Sequence, residues 1–323
     1  MSVLVYTENW DGKFKKSSFE LVSYASKVAE LVNTVPVALS IGKVDRSELE
    51  KLGKYGAHKI IHATGDQMDV FDAGLFAHAV ADMAIKEGAT VIILSNSNSG
   101  KALAPRLSVK LKAGLGSGVS KLPLSISPFT VYKRAYSGNA YAHLTIKTDI
   151  KILTLVQNSF ELIEKNGTPV IEEVTLHPDG SGVKIRVTDV QKQTGKVLLT
   201  DAEIVVSGGR GMKSPDNWGP LEELAGLLDA ATACSRPVSD EGWRGHEEHT
   251  GQTGKIINPN LYIAIGISGA TQHLAGVSSS KYIVAVNTDK DAPIFEVAQY
   301  GIVGDAMKVL PRLIEAVREI KAK

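Results

Sequence analysis

The residue types most able to do chemistry gather in the last third of the chain. Two glycine-bearing segments stand out, Thr250-Gly-Gln-Thr-Gly-Lys-Ile256 and Tyr262-Ile-Ala-Ile-Gly-Ile-Ser-Gly-Ala-Thr-Gln-His273. The second reads as an apolar strand that ends at Ser268-Gly-Ala270 and opens a helix, whose first amides suit a pyrophosphate. A third segment, Val205-Val-Ser-Gly-Gly-Arg-Gly211, places Gly208, Gly209 and Gly211 directly after another strand. Without Cβ atoms these residues can turn tightly and approach a ligand, and a plain strand-to-helix turn explains them equally well.

Other chemistries are excluded by spacing. Gly251-Gln-Thr-Gly-Lys255 lacks the first glycine of a phosphate-binding P-loop, and Ile256 stands where Ser or Thr must hold magnesium. Ser97-Asn-Ser-Gly-Lys101 fails for similar reasons. In His246-Glu-Glu-His249 the histidines are three apart rather than four and no third ligand group is evident, so a solvated polar turn is expected there rather than a metal site. The single cysteine, Cys234, cannot form an internal disulfide and is expected to be a small buried apolar group. No Ser-His-Asp arrangement or pair of catalytic carboxylates emerges.

With Cys234-Ser-Arg-Pro237, Val284-Ala-Val-Asn287 and Ala292-Pro-Ile-Phe-Glu-Val-Ala-Gln-Tyr-Gly301, these segments form an ordered series that resembles the FAD-binding signature of electron transfer flavoprotein alpha subunits. The resemblance implies FAD as cofactor and a cofactor set of Arg210, Ser235, Arg236, Thr250, Gly251, Gln252, Thr253, Ser268, Gly269, Ala270, Thr271, Gln272, His273, Asn287 and Asp305. By the same resemblance Arg236 lies against the flavin ring, Thr253 faces N5, Gln252 helps hold the ring or ribityl chain, and His273 stands near the C2 carbonyl as a donor or cation. Arg210, Asn287 and Asp305 would contact the rest of FAD, although Asp305 could equally cap a helix. A guanidinium about 4 Å from the ring, at an effective dielectric of about 20, would attract an arriving electron by about 4 kcal/mol, or roughly 170 mV. The series departs from many relatives at Thr250, where they carry an apolar residue, and in the polar stretch before it.

The family likeness implies an electron carrier rather than an enzyme. It further implies a beta subunit as heterodimer partner, holding AMP or a second FAD, with acyl-CoA dehydrogenases as donors and a quinone-linked oxidoreductase as acceptor. The competing reading is a nucleotide- or NAD-dependent enzyme on a doubly wound scaffold; it lacks a G-x-G-x-x-G turn followed by a ribose-binding acid.

The elements that must position these residues read as two α/β domains, 1–190 and 191–323. Val3 to Glu8, Val35 to Ile41, Lys59 to Ala63 and Thr90 to Ser95 are short aliphatic runs expected in a buried parallel sheet. Between them lie helical patterns, the first opened by Ser17-Ser-Phe-Glu20 and the second by Ser47-Glu-Leu-Glu50, both with the spacing of a capping box, and a third that Asp72 could cap. The texture changes after Gly114-Leu-Gly-Ser-Gly118, and Phe129 to about Thr188 is strand-rich, with turn signals at Ser137-Gly-Asn139, Asn166-Gly-Thr-Pro169 and Pro178-Asp-Gly-Ser-Gly182. Asp189 to Gly195 is the best candidate boundary and hinge. The resemblance makes the first domain a three-layer sheet domain that carries the beta-subunit interface but no flavin, and the second a doubly wound FAD-binding domain.

The chain has 36 Lys and Arg against 35 Asp and Glu, which on a reading of even spread offers no case for nucleic acid or an anionic membrane. No apolar run approaches the roughly 20 residues of a membrane helix. The N-terminus enters a strand directly, and the expected location is the prokaryotic cytoplasm.

Overall fold

Aliphatic runs alternating with amphipathic segments form two separate α/β layers. A computed structural model of the chain describes residues 1–65, 67–136, 140–176, 187–189 and 197–322. It divides into two units, Met1–Val190 and Gln191–Lys323. Most of the candidate hinge, and the turns expected at 137–139 and 178–182, lie outside the described residues.

The first unit runs β1 (Ser2–Tyr6), β2 (Asn9–Trp10), β3 (Lys13–Phe14), α1 (Lys16–Leu31), β4 (Val35–Ile41), α2 (Arg46–Gly53), β5 (Lys59–Thr64), α3 (Ala73–Lys86), β6 (Ala89–Ser95), α4 (Asn98–Leu111) and β7 (Gly114–Val119). It continues through β8 (Ser125–Ile126), β9 (Phe129–Ala135), β10 (Ala140–Ile146), β11 (Lys151–Leu155) and β12 (Val170–Thr175). The main sheet has the order β10-β9-β7-β11-β6-β1-β4-β5-β12, with β8 paired to β9. Its inner strands are parallel, whereas β9 and β10 form an antiparallel pair at one end. Helices bury both faces of the inner strands, which is why those strands read as unbroken apolar runs. Leu4, Leu39, Ile61 and Ile92 pack with Val80 and Leu103 on one side, and Val5, Ala38, Ile60 and Ile93 with Tyr24 and Leu52 on the other.

Gly114 to Gly118, after which the sequence texture changes, is itself a strand, and the side chains of Ile146 and Leu153 fill the space that Cβ atoms at Gly114 and Gly116 would need. Two helix starts depart from expectation. Helix α1 starts before the expected capping box, with Lys15 at its N-cap and no side-chain cap. Glu20 turns inward instead, and its carboxylate accepts hydrogen bonds from the amides of Asn158, Ser159 and Phe160 at 2.8–2.9 Å. Helix α2 likewise starts before its expected capping box, with Asp45 at its N-cap and no side-chain cap, and Glu48 in its first turn accepts from the Phe14 amide at 3.0 Å. By contrast Asp72 caps α3 by accepting from Leu75 at 2.8 Å.

The second unit comprises β13 (Ile204–Gly208), α5 (Gly219–Leu227), β14 (Ala231–Cys234), α6 (Arg236–Asp240), β15 (Leu261–Ile265), α7 (Thr271–Val277), β16 (Tyr282–Asn287), α8 (Ile294–Val297), β17 (Tyr300–Val303) and α9 (Ala306–Lys321). Its five strands are all parallel in the order β14-β13-β15-β16-β17. The chain moves outward from β13 to β14 and then returns to the other side at β15, so the winding reverses between β13 and β15. Val206, Ile263 and Val286 pack against Leu221 of α5 and Leu310 of α9, while Val205, Ala264 and Ala285 face Val277 of α7 and Ile294 of α8. Pro311 sits inside α9.

Glu20 yields a stability prediction. Burial raises its carboxyl pKa, against the opposing pull of the three amides and Lys16. Glu20→Ala would strand three inward amides and should destabilise the chain by about 2–4 kcal/mol, whereas Glu20→Gln keeps one acceptor and should lose about half as much. Urea unfolding at neutral pH measures both, and equal stability of Glu20→Ala and the unmodified chain would remove this role.

Candidate functional site

The carboxyl ends of parallel strands are where an open α/β sheet leaves a crevice, and the crevice lies where the winding reverses. Here that point is between β13 and β15, flanked by the turn 209–211 and the turn 266–270. Arg210 follows β13, Ser235 and Arg236 follow β14, Ser268 to Ala270 follow β15, Asn287 ends β16 and Asp305 follows β17. Most of the residues singled out in sequence therefore share one edge of the sheet.

Close backbone contact shapes this edge. A Cβ on Gly209 would sit 2.2 Å from the Gly266 carbonyl oxygen, and one on Gly211 would sit 2.6 Å from Gly266 Cα. Gly208 lies under the Trp218 indole. These glycines are thus required by packing between the two turns, independently of any ligand. Gly269, at φ +85°, brings its backbone against Ile294. Beyond it α7 begins at Thr271 with Ala270 as an N-cap that supplies no side-chain bond. Among the described residues no acceptor meets the amides of Gly269, Ala270, Thr271 or Gln272. Four amides at a helix start, next to the exposed side chains of Ser268, Thr271 and Gln272, fit an anionic group.

The loop from His249 to Lys255 is tied to the same helix. Gln252 donates its amide to the Gln272 carbonyl at 2.7 Å, and the Gly251 backbone packs so closely on Gly276 that a Cβ there would lie 2.5 Å from Gly251 Cα. Gly251, at φ +145°, and Gly254 let the loop fold back, with the Lys255 amide donating to the His249 carbonyl at 2.8 Å. Gln252 and Thr253 are left exposed at the tip. Thr250 is buried, and its hydroxyl donates to the Cys234 carbonyl at 3.2 Å.

Several candidates already have protein partners. Arg236 Nε donates to Asp240 at 3.2 Å in a pair whose side chains are 63% and 64% exposed. Asn287 donates to the Ile267 carbonyl at 2.9 Å and accepts from the Asp289 amide at 3.0 Å, which stabilises the turn after β16. Asp305 caps α9 through the Met307 amide at 2.9 Å and pairs with Lys213 at 2.8 Å. Arg210 is exposed.

Beneath the loop lies a buried polar layer whose strand members sequence reasoning missed. The Tyr262 hydroxyl and His273 Nε2 share a hydrogen bond of 2.8 Å, and Ser207, Cys234, His249 and Thr250 are buried as well. The signal was a tyrosine inside an otherwise aliphatic strand, a residue that needs a polar partner when buried. Burial pushes the His273 imidazole down to about 4, with His249 adding to the fall and the Thr250 backbone opposing it. His273 is therefore neutral near pH 7 and offers a donor rather than a cation. Burial pushes the Cys234 thiol up to about 12, with Glu248 adding to it, so it stays protonated. The segment 246–249 is not a solvated turn throughout. Glu248 and His249 are buried, and Glu248 holds Arg244 at 2.7 and 2.9 Å. Among the described residues no group of three His, Cys, Asp or Glu side chains could hold a metal.

A five-stranded parallel sheet with a helix start at its winding reversal defines the nucleotide-binding class of doubly wound domains. Residues 198–278 match the electron transfer flavoprotein FAD-binding domain, and residues 3–179 match the electron transfer flavoprotein domain. The chain is 35% identical over 316 residues to electron transfer flavoprotein subunit alpha of Syntrophomonas wolfei, covering 98% of each. It is 33% identical to the protein of that name from Bacillus subtilis, again covering 98% of each, and 35% identical to Protein FixB of Escherichia coli, covering 92% of this chain and 93% of that one. The chain belongs to the electron transfer flavoprotein alpha-subunit family, and FAD is the cofactor of the domain it matches. No helix among the described residues is long and apolar enough to cross a membrane.

The depressed His273 pKa sets a pH dependence. An unfolded histidine titrates near 6.5, so the unfolded state binds the proton first and the histidine's contribution to stability is intact above about pH 6.5. It is lost as pH falls from there through about 4, to a total of about 3 kcal/mol. His273→Gln should flatten this slope. Urea midpoints of both proteins at pH 7 and 4.5 measure it, and parallel pH profiles would place His273 outside the buried layer.

Proposed function

We propose that this chain holds FAD on the carboxyl edge of its second unit and works as the alpha subunit of a heterodimeric electron carrier. Its donors would be acyl-CoA and related dehydrogenases and its acceptor a quinone-linked oxidoreductase. A beta subunit would complete the assembly, with the first unit supplying much of the contact. The observation that carries the reading is the set of four amides at the start of α7, where the sheet's winding reverses, that have no acceptor among the described residues.

When bound, FAD supplies reversible electron transfer. The amides of Gly269 to Gln272 would hold its pyrophosphate, with Ser268 and Thr271 adding hydroxyl donors and Arg210 positive charge. Gln252 and Thr253, presented at the tip of a loop locked to α7, would meet the ring, while Ser235 and Thr250 support the backbone that carries Arg236 and that loop. His273 would act as a neutral donor through Nδ1. Asn287 and Asp305 hold the turns after β16 and the start of α9, and their part in the site is to fix that edge. Nothing in this set removes a proton from a substrate or attacks one, which favours a carrier over an NAD-dependent enzyme.

Two measurements test the reading. Ala270→Glu places a carboxylate at the start of α7 and should weaken FAD binding by at least about tenfold while leaving the fold intact; unchanged binding by fluorescence titration would move the pyrophosphate elsewhere. Arg236→Ala should lower the first flavin reduction potential. Because Arg236 is exposed and paired with Asp240, the fall should be some tens of millivolts, well short of the ~170 mV of an unscreened contact. A redox titration with an unchanged midpoint would take Arg236 away from the ring.

A further inference from the structure

Stability alone does not call for a tyrosine in the middle of β15. Val205 on β13 and Ile283 on β16 flank Tyr262 in register, and the side chain is wholly buried. A phenylalanine would fill nearly the same volume there, whereas a buried hydroxyl must find a partner. Tyr262 finds it in His273 Nε2, at 2.8 Å. Because β15 is held by a strand on each side, the phenol is the fixed member of the pair and the imidazole the one it orients.

One proton decides what that bond does. Both groups are neutral near pH 7, since burial raises the phenol and lowers the imidazole, the latter to about 4. His273 also sits in the first turn of α7, an end that disfavours a cation. A neutral imidazole carries a single N–H, and the hydrogen bond made by one ring nitrogen sets which nitrogen that is. A phenol O–H is a stronger donor than an imidazole N–H, and an imidazole nitrogen is a stronger acceptor than a phenol oxygen. The proton of the phenol therefore points at Nε2, and the ring's own proton stands on Nδ1. The Thr250 backbone favours a proton on the ring, as a carbonyl in the neighbourhood of an N–H does. Nδ1 is buried and has no hydrogen-bond partner among the described residues. An orphaned N–H under the 251–254 loop suits a carbonyl oxygen of the flavin.

We infer that Tyr262 is a positioning residue for the flavin: its hydroxyl fixes His273 as the Nδ1–H tautomer, so that the imidazole meets the flavin with a donor and not a lone pair. This rests on the FAD reading above and adds the residue that selects the donor. Without the phenol an imidazole prefers its proton on Nε2, which leaves Nδ1 bare. Negative charge arriving on the ring strengthens an N–H contact and is opposed by a lone pair in the same place. The tautomer that Tyr262 selects therefore raises the first reduction potential.

The test uses the full-length chain carrying isotope-labelled histidine, with the His273 signals found among those of the 8 histidines by comparison with His273→Gln. Ring-nitrogen NMR shifts at pH 7 should show a protonated Nδ1 and a bare Nε2 at His273, before FAD is added and after. Tyr262→Phe should move these signals toward the Nε2–H form. With FAD bound it should also lower the equilibrium constant for the first electron by about tenfold, equivalent to ~59 mV. His273→Asn keeps an amide N–H near the Nδ1 position and takes away the acceptor of the phenol, so adding Tyr262→Phe to it should leave the potential unchanged. Retained FAD and a cooperative urea transition show each variant to be folded. A bare Nδ1 in the unmodified chain with FAD bound overturns the inference without any variant. So does an unchanged potential in folded Tyr262→Phe. The same fall in the His273→Asn background overturns it too, because a tyrosine that only packs acts whichever side chain stands at 273. In these three cases FAD is bound and the reading above stands. An unmodified chain that takes up no FAD removes that reading and the inference with it.

Discussion

Backbone meeting backbone without side chains between is the constraint on which the second unit depends. Gly209 and Gly211 lie against Gly266, Gly251 lies against Gly276, and Gly269 lies against Ile294. Each contact fixes the height of one turn above the sheet. A methyl group at Gly211 or Gly276 would push two segments apart by about the width of that group, and the amides at the start of α7 would no longer face the same space as the 251–254 loop. The glycine pattern that looks like a ligand signature is thus first a packing signature, and the site follows from what that packing leaves open.

The polar layer under the loop solves a second problem. A loop that must present Gln252 and Thr253 outward needs anchors below, yet the ground beneath is the apolar face of β15. Tyr262 and His273 supply a hydrogen bond there without charge, because burial keeps the phenol protonated and the imidazole neutral. A lysine–carboxylate pair in the same place would have to be desolvated at a cost that its mutual attraction need not recover. Neutral partners tie the loop down while leaving the electrostatics of the edge to the exposed arginines.

How much of this was legible in sequence depended on how local the cause was. The strands of the first sheet were readable because burial on both faces demands continuous apolar runs, and Asp72 was readable because a cap acts within one turn. Ser17 to Glu20 misled because the capping-box spacing says nothing of a loop about 140 residues away that needs an acceptor more, and Glu20 goes there. Gly114 to Gly118 showed only as a change of texture, because glycine in a strand is disfavoured on its own and is justified here by Ile146 and Leu153 crossing over it. At the site, the glycines and the helix start were visible, whereas the Tyr262–His273 bond joins residues 11 apart that only the return from β15 to α7 brings together.

Net charge hid as much as it revealed. A total near zero is compatible with an even distribution, but here it is the sum of an acid-free stretch from 88 to 148 and an acidic remainder. The two units use charge differently as a result. In the second, Arg244 with Glu222 and Glu248, Lys213 with Asp305 and Arg236 with Asp240 are paired within the unit. In the first, Lys59, Lys86, Glu87 and Glu172 are paired among themselves at the far end of the sheet, near β5 and β12, while among the described residues Lys133 and Lys147 at the β9–β10 end have no ion pair. Self-repulsion among like charges opposes folding, and solvation makes such lysines tolerable only at the surface. An end of a sheet that gathers them departs from what stability alone would select.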